Sequence, residues 1–357
     1  MKSDIELFKE FYSETKDNIS LVIDKYNKEL VKDKKGYLKD NLELFANLNS
    51  DGKLIRATLI SLGYKIASLK NIDYSFNLGL AYELFQTSVL IHDDIIDNDN
   101  LRRGKETIHY ANYKRDLKYD EESAKKNSES IGICIGDYGF YEANKIIIDN
   151  YCSDSNFKDV FSYYNDIVLK TIEGELIDVK LSFDSRYKLD DTDIEKNIME
   201  VYKLKTAFYT IIGPLSLGLI LGGIKDSRLD KIKEFGEKIG IAFQIQDDIL
   251  GIYSNLGKEV GSDIKEYKQT ILFANAIKDT KYKKELLKYY GKKDINMQKI
   301  EEVRRIFKES LAYEKTYDLM NSLYKEAKSI INEVTWINEE DKKILKGFVD
   351  YLVIRNK

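Results

Sequence analysis

Proline is almost missing from this chain: Pro214 is the single one in 357 residues. Proline breaks helix interiors and favours turns and strand-rich loops, so its scarcity argues for long helices joined by short polar connections. Pro214 itself sits in an apolar stretch, where it would kink a helix. Cysteine is nearly as rare. Cys134 and Cys152 are too few for a disulfide framework and have no metal-binding spacing, so they read as two core thiols in a reducing compartment. Only His92 and His109 are present, and without a helical His pair they argue against zinc. No sign of charge dominates: 57 Lys+Arg against 61 Asp+Glu give −4. No global field favours nucleic acid, and any phosphate binding must come from local basic groups. The N-terminus is acidic and amphipathic, without an apolar signal region. Only residues 207–224 run eighteen positions without charge; with Pro, Gly and Ser among them, they read as a core helix, not a transmembrane segment. A soluble cytoplasmic protein is expected.

What is present points the same way. At 43% hydrophobic and 33% charged, the chain can bury a large core and lies far from disordered compositions. No fixed-period repeat or Gly/Ser/Pro linker occurs. Apolar residues recur at helical spacing, as in Tyr82, Phe85, Val89 and Ile96, and in Ala242, Ile245 and Ile249. Gly/Asn/Asp clusters near 49–52, 99–104, 222–226 and 254–262 punctuate the pattern. Length alone would allow two domains at about 150 residues each, but the simplest architecture is an all-α single domain over residues 1–357.

Two acidic clusters carry the chemistry. The first is Asp93-Asp94-Ile95-Ile96-Asp97 and the second Asp247-Asp248-Ile249-Leu250. An acidic triplet on a helix is ordinarily solvated surface. Here Asp93 and Asp97 stand one turn apart, where like charges repel, and no Lys or Arg occurs from Phe85 to Leu101. Both clusters also follow apolar runs that belong in a core, so the carboxylates need a compensating cation. An oxygen-only ligand set suits Mg²⁺, which commonly bridges carboxylates to substrate phosphates. A calcium loop starting at Asp97 fails, because Arg102 stands where Gly is required and Leu101 falls at an Asp/Asn position. His92 reads as an orienting or packing residue.

Basic residues lie around the clusters in an order a diphosphate would need: Lys53 and Arg56, then Arg102 and Arg103, then Lys205, Lys258 and Lys268. With these residues in view, the chain resembles the trans-isoprenyl diphosphate synthase (polyprenyl synthetase) family. The resemblance rests on Gly-Lys-x-x-Arg at 52–56, Leu-Ile-His-Asp-Asp-Ile-Ile-Asp at 90–97 with Leu-Arg-Arg-Gly-Lys at 101–105, and Gly174-Glu175-x-x-Asp178. It continues through Lys205-Thr206-Ala207-Phe208-Tyr209, Phe243-Gln244-Ile245-Gln246-Asp247-Asp248, and Gly261-Ser262-Asp263-Ile264-Lys265-Glu266-x-Lys268-x-Thr270.

The resemblance implies an all-α bundle around a deep apolar cavity, a homodimer, and Mg²⁺-dependent condensation of isopentenyl diphosphate with an allylic diphosphate held between the two clusters. Lys53, Arg56, Gln86 and Arg103 would cradle isopentenyl diphosphate. Arg102, Lys205, Gln244, Lys258 and Lys268 would hold the allylic diphosphate, with Asp93, Asp97 and Asp247 as metal ligands. Asp94, Asp178 and Asp248 would be supporting carboxylates, Thr206 would stabilise the allylic cation, and Arg355 and Lys357 would cap the isopentenyl site. Three positions depart from the family pattern: Ala57 and Glu106 replace prolines, and Gly251 stands where most members have a third Asp, lowering the expected affinity for a third metal.

Product length in this family depends on what plugs the cavity below the first cluster. Ser88 and Val89 leave the upper level open. Phe85 lies about 4.5 Å deeper at ~1.5 Å per residue, with Tyr82 below it. The implied product is geranylgeranyl diphosphate, with farnesyl or longer prenyl products as the alternative. A terpene cyclase of the same fold would keep the aspartates but has no use for the isopentenyl cradle. A non-catalytic partner subunit would be expected to have lost an aspartate cluster.

Overall fold

The computed structural model describes residues 2–68, 70–185, 193–253, 261–292 and 294–354, with backbone alone at 184 and 185. Lys258, Arg355 and Lys357 lie outside the described residues. The described elements are helical throughout, apart from one two-stranded hairpin. They fall into two compact units. One comprises Met1–Phe8, Tyr164–Gly213 and Asp226–Lys357; the other comprises Lys9–Tyr163 and Pro214–Lys225.

In the second of these units, helix Phe76–Ile96 is the centre of the packing and lies mainly on helix Glu121–Tyr151, with Ile55–Ala67 also against it. Burial covers nearly every side of its first three turns, from Phe76 to Ser88. A helix apolar all round belongs in a core. Its close approach to Glu121–Tyr151 depends on small residues there: a Cβ at Gly136 would fall 2.2 Å from His92 Nε2, and one at Gly139 2.2 Å from Ser88 Oγ. His92 is therefore packed into the helix contact, with Phe140 against its ring and Nε2 3.2 Å from Ile133 O. That is the packing role its sequence context suggested. The hairpin pairs Leu101 with Glu106 and Arg102 with Lys105. Its two central residues, Arg103 and Gly104, both have positive φ (54° and 78°), the turn whose twist matches paired strands.

The other unit is built on helix Arg228–Tyr253, which packs against Ala312–Glu333 and against the wide-turned π-helical stretch Tyr202–Ile212. That stretch follows Ile194–Val201, and its last bond is five residues long, from Gly213 N–H to Phe208 O. Pro214, the second residue of helix Gly213–Leu221, follows directly, where the wide turns give way to ordinary α-helix. The helical stretch Ile194–Leu221 is apolar and long enough to cross a membrane, yet 89% of its most apolar window is buried. It behaves as the core helix expected of residues 207–224. The cysteines do not behave as expected: Cys134 and Cys152 are both exposed rather than core thiols. Both sit on or just past Glu121–Tyr151, and composition could not say which of its faces is covered.

Candidate active site

In the unit containing Lys9–Tyr163, helix Phe76–Ile96 delivers Gln86, Asp93 and Asp94, and Asp97 caps its C-terminus with its N–H on Asp93 O. Arg102 folds back from the hairpin onto this end. Its Nη2 lies 2.9 Å from Asp93 Oδ2 and 3.9 Å from Asp99 Oδ2, and its Nε donates to Asp94 Oδ1. The compensating cation that the sequence segment lacked is thus supplied from the next strand. Burial lowers the pKa of Arg102, but Asp94 and Asp93 outweigh it and hold the guanidinium above its ordinary value.

Burial also divides the aspartates. Asp93 and Asp97 are half-buried, whereas Asp94 is 1% exposed. Desolvation pushes the Asp94 carboxyl up to about 7; Arg102 opposes this, and Asp93 and Asp99 add to it. Its Oδ2 is buried without a hydrogen-bond partner, an orphaned oxygen that a cation would satisfy. No three acidic, His or Cys side chains among the described residues gather into a complete metal shell. Mg²⁺ needs only one or two carboxylates and completes its octahedron with water and phosphate oxygens.

Two turns earlier on the same helix, Gln86 Oε1 accepts from Arg56 Nη1 at 2.9 Å. More deeply buried than either is a residue the sequence reading missed. Glu83 is buried, accepts the Ala57 N–H at 3.2 Å, and lies 3.4 Å from where a Gly52 Cβ would stand. Desolvation raises its pKa, while Arg56, the Ala57 N–H and Arg103 pull it down. Burial and the neighbouring Arg102 lower the pKa of Arg103, and Glu83 opposes that. Arg56 and Arg103 thus both act on one buried carboxylate, and Gln86 joins them through Arg56. Lys53 is exposed at the start of the same segment, and its carbonyl accepts from Tyr12 at 2.6 Å. A lone Glu in an apolar run gives no sequence signal of this position.

Below the cluster, Tyr82 and Phe85 are fully buried, edge to face with ring centres 5.4 Å apart, and Phe140 lies 5.8 Å from Phe85. Ser88 is buried with its hydroxyl on Leu84 O at 3.0 Å, and Val89 is half-buried.

The unit containing Asp226–Lys357 carries the second cluster. Asp247 is exposed, while Asp248 is 3% exposed, the same division as at the first. Tyr202 donates its hydroxyl to Asp248 Oδ2, and Gln244 Nε2 donates to Oδ1 at 2.8 Å. Burial pushes Asp248 up to about 7; Lys268 opposes this, Asp263 adds to it, and the two hydrogen bonds oppose it. Gln244 Oε1 accepts from Thr206 Oγ1 at 2.6 Å. Gln244, expected on the allylic diphosphate, therefore has both ends of its amide on protein groups. Lys205 is held by Glu175 at 2.6 Å and Asp178 at 2.8 Å. Gly174 makes this contact possible, since a Cβ there would fall 2.8 Å from Lys205 N. Asp178 is thus a support for Lys205, shared with Glu175, a motif residue to which the sequence reading assigned no role. Lys268 lies 3.8 Å from Asp263 Oδ1. Asp263 also lies against Gly251, where a Cβ would stand 3.0 Å from its Oδ2.

Residues 41–308 match the polyprenyl synthetase family model. The chain is 30% identical to a short chain isoprenyl diphosphate synthase of Methanocaldococcus jannaschii over 347 residues, 95% of each chain. It is 29% identical to a geranylgeranyl diphosphate synthase of Sulfolobus acidocaldarius, covering 86% of this chain and 88% of that one. In three dimensions it is similar to a geranylgeranyl pyrophosphate synthase of Corynebacterium glutamicum, solved with isoprenyl diphosphate and magnesium. The TM-score is 0.85 at 24% identity, over 99% of this chain and 100% of that one, and this likeness identifies the all-α fold.

Proposed function

The chain belongs to the polyprenyl synthetase family, and from that premise we propose that it is a Mg²⁺-dependent head-to-tail prenyltransferase that condenses isopentenyl diphosphate with allylic diphosphates and stops at geranylgeranyl diphosphate. The Arg56–Gln86 bond carries the reading. It builds an anion cradle two turns before the first aspartate cluster, and a cyclase acting on one diphosphate needs no second cradle. The geranylgeranyl synthases among the relatives support the product. Within this proposal residues 1–357 work as one domain.

Lys53, Arg56 and Arg103 hold the isopentenyl diphosphate. Arg102, Lys205 and Lys268, with Lys258, present fixed cations to the allylic diphosphate. Asp93 and Asp97 at the first cluster, and Asp247 at the second, are the carboxylates that would hold Mg²⁺. When bound, the metal neutralises charge on the departing diphosphate, a contribution fixed cations share by electrostatics. The allylic C–O bond breaks with its electron pair on the diphosphate; the isopentenyl double bond attacks the resulting cation, and a proton is lost. The Thr206 hydroxyl proton is committed to Gln244, so its oxygen lone pair is what it offers a cation. No side-chain nucleophile is required.

The homodimer belongs to the same proposal. Leu169, Ile172, Leu176, Val179 and Phe183 on helix Phe157–Ser185 are 43% to 66% exposed, and their alternating spacing of three and four makes an apolar seam for a second copy. A cytoplasmic location is part of the same proposal. The test is diphosphate release with Mg²⁺. It must require isopentenyl diphosphate together with an allylic diphosphate, and Asp93→Asn or Asp247→Asn must lower it by about a hundredfold or more. Release from an allylic diphosphate alone, with cyclic hydrocarbon as product, favours the cyclase.

A further inference from the structure

We propose that Tyr202 is a positioning residue for the allylic half of the reaction, acting through Asp248 and Gln244 on Thr206. The inference rests on the prenyltransferase reading above. Four hydrogen bonds run in one chain. The Ile271 N–H donates to the Tyr202 hydroxyl oxygen at 3.1 Å, and that hydroxyl donates to Asp248 Oδ2. Asp248 Oδ1 accepts from Gln244 Nε2 at 2.8 Å, and Gln244 Oε1 accepts from Thr206 Oγ1 at 2.6 Å. Tyr202 and Asp248 are both buried, so water cannot cheaply replace the bond between them.

The consequence is directional. An amide side chain can present either its oxygen or its nitrogen to a neighbour. Here the Asp248 carboxylate accepts only from the nitrogen end, which turns Oε1 of Gln244 toward Thr206. Oε1 then takes the Thr206 proton and leaves the oxygen lone pair of Thr206 for positive charge. Tyr202 holds the carboxylate that sets this orientation. The wide-turned helix Tyr202–Ile212 places Tyr202 and Thr206, four residues apart, both against helix Arg228–Tyr253; such helices are frequent at functional sites. Asp248 is thereby a fixed acceptor inside the protein, and the exposed Asp247 next to it is the one left for a cation.

Tyr202→Phe removes the donor while keeping the ring. In steady-state assays with Mg²⁺, isopentenyl diphosphate and geranyl diphosphate, it should lower kcat about tenfold or more and raise the allylic KM, leaving the isopentenyl KM within about twofold. Gln244→Leu breaks the same chain at its other end and should give the same split. The double variant should be no worse than the worse single one, because both cut one chain. Equal rises in both KM values, additive losses in the double variant, or unchanged kinetics in both single variants would overturn the proposal. If Tyr202→Phe fails to fold, the KM split in Gln244→Leu decides alone. Failure of the underlying reading looks different: the unaltered protein would then make no elongated prenol.

Discussion

Arg56 donates to Gln86 across 2.9 Å, joining the Gly-Lys-x-x-Arg segment to the helix that ends in the first aspartate cluster. A hydrogen bond from a charged donor contributes about 1.5–3 kcal/mol, and the guanidinium fork matches a diphosphate as a lysine cannot. Arg56→Lys should therefore raise the isopentenyl KM roughly tenfold or more and leave the allylic KM unchanged. Parallel rises in both KM values in steady-state kinetics would contradict the assignment of Arg56.

Glu83 gives a pH dependence whose sign can be worked out. Burial raises its carboxyl above the ordinary value of 4.5, so folding favours the protonated form. That contribution to stability is fully present below the ordinary value and is lost as pH rises through the folded-state value. Glu83→Gln, which keeps an acceptor for the Ala57 N–H, should gain in thermal midpoint relative to the unaltered protein as pH rises from about 4 to about 8. Calorimetry across that range checks it; a gap that shrinks with rising pH is the contrary result.

Phe85 is fully buried between Tyr82 and Phe140. Phe85→Ala should lengthen the product by about one isoprene unit, one helical turn of depth, at a stability cost of about 3–5 kcal/mol. Chromatography of the dephosphorylated alcohols reads the first and denaturant unfolding the second. An unchanged product distribution in a folded variant removes Phe85 as the floor of the cavity.

Gly251 invites restoration of the family's third aspartate. Space there is already limited by Asp263 Oδ2, 3.0 Å from a Cβ, and a carboxylate at 251 would face a like charge. Gly251→Asp should lower half-saturating Mg²⁺ a few-fold, about 1 kcal/mol or less, because two neighbouring carboxylates repel each other until a cation binds. It should also lower the thermal midpoint of the metal-free protein. Unchanged or weaker Mg²⁺ binding in titration would show that the glycine does not limit the cluster.

The exposed seam on helix Phe157–Ser185 makes a claim about assembly. Leu176 is its most exposed member, and Leu176→Glu should shift the chain from dimer to monomer in light scattering after size exclusion. A dimer of undiminished stability would place the interface elsewhere.

Much of this site could be read before the fold was seen, because its chemistry is carried by residues adjacent in the chain. Asp93, Asp94 and Asp97 share one helical end, and Lys205 and Thr206 are neighbours. The division of each aspartate pair into a buried and an accessible member could not be read, since it depends on what packs over each helix. Glu83 gathers residues from two helices, Tyr202 reaches Asp248 across 46 positions, and Asp263 comes to Gly251 by a chain reversal. No local pattern marks any of these. Arg103-Gly104 did carry a local signal, but two residues of hairpin turn were overlooked in a chain whose low proline content pointed only to helices.

The central claim is that this chain extends allylic diphosphates with isopentenyl diphosphate. It is tested most directly by incubating the protein with Mg²⁺, isopentenyl diphosphate and dimethylallyl, geranyl or farnesyl diphosphate in turn, and chromatographing the dephosphorylated products. The account predicts geranylgeraniol as the longest main product from each primer. Cyclic hydrocarbons from an allylic diphosphate alone, with no elongated prenol, would contradict it.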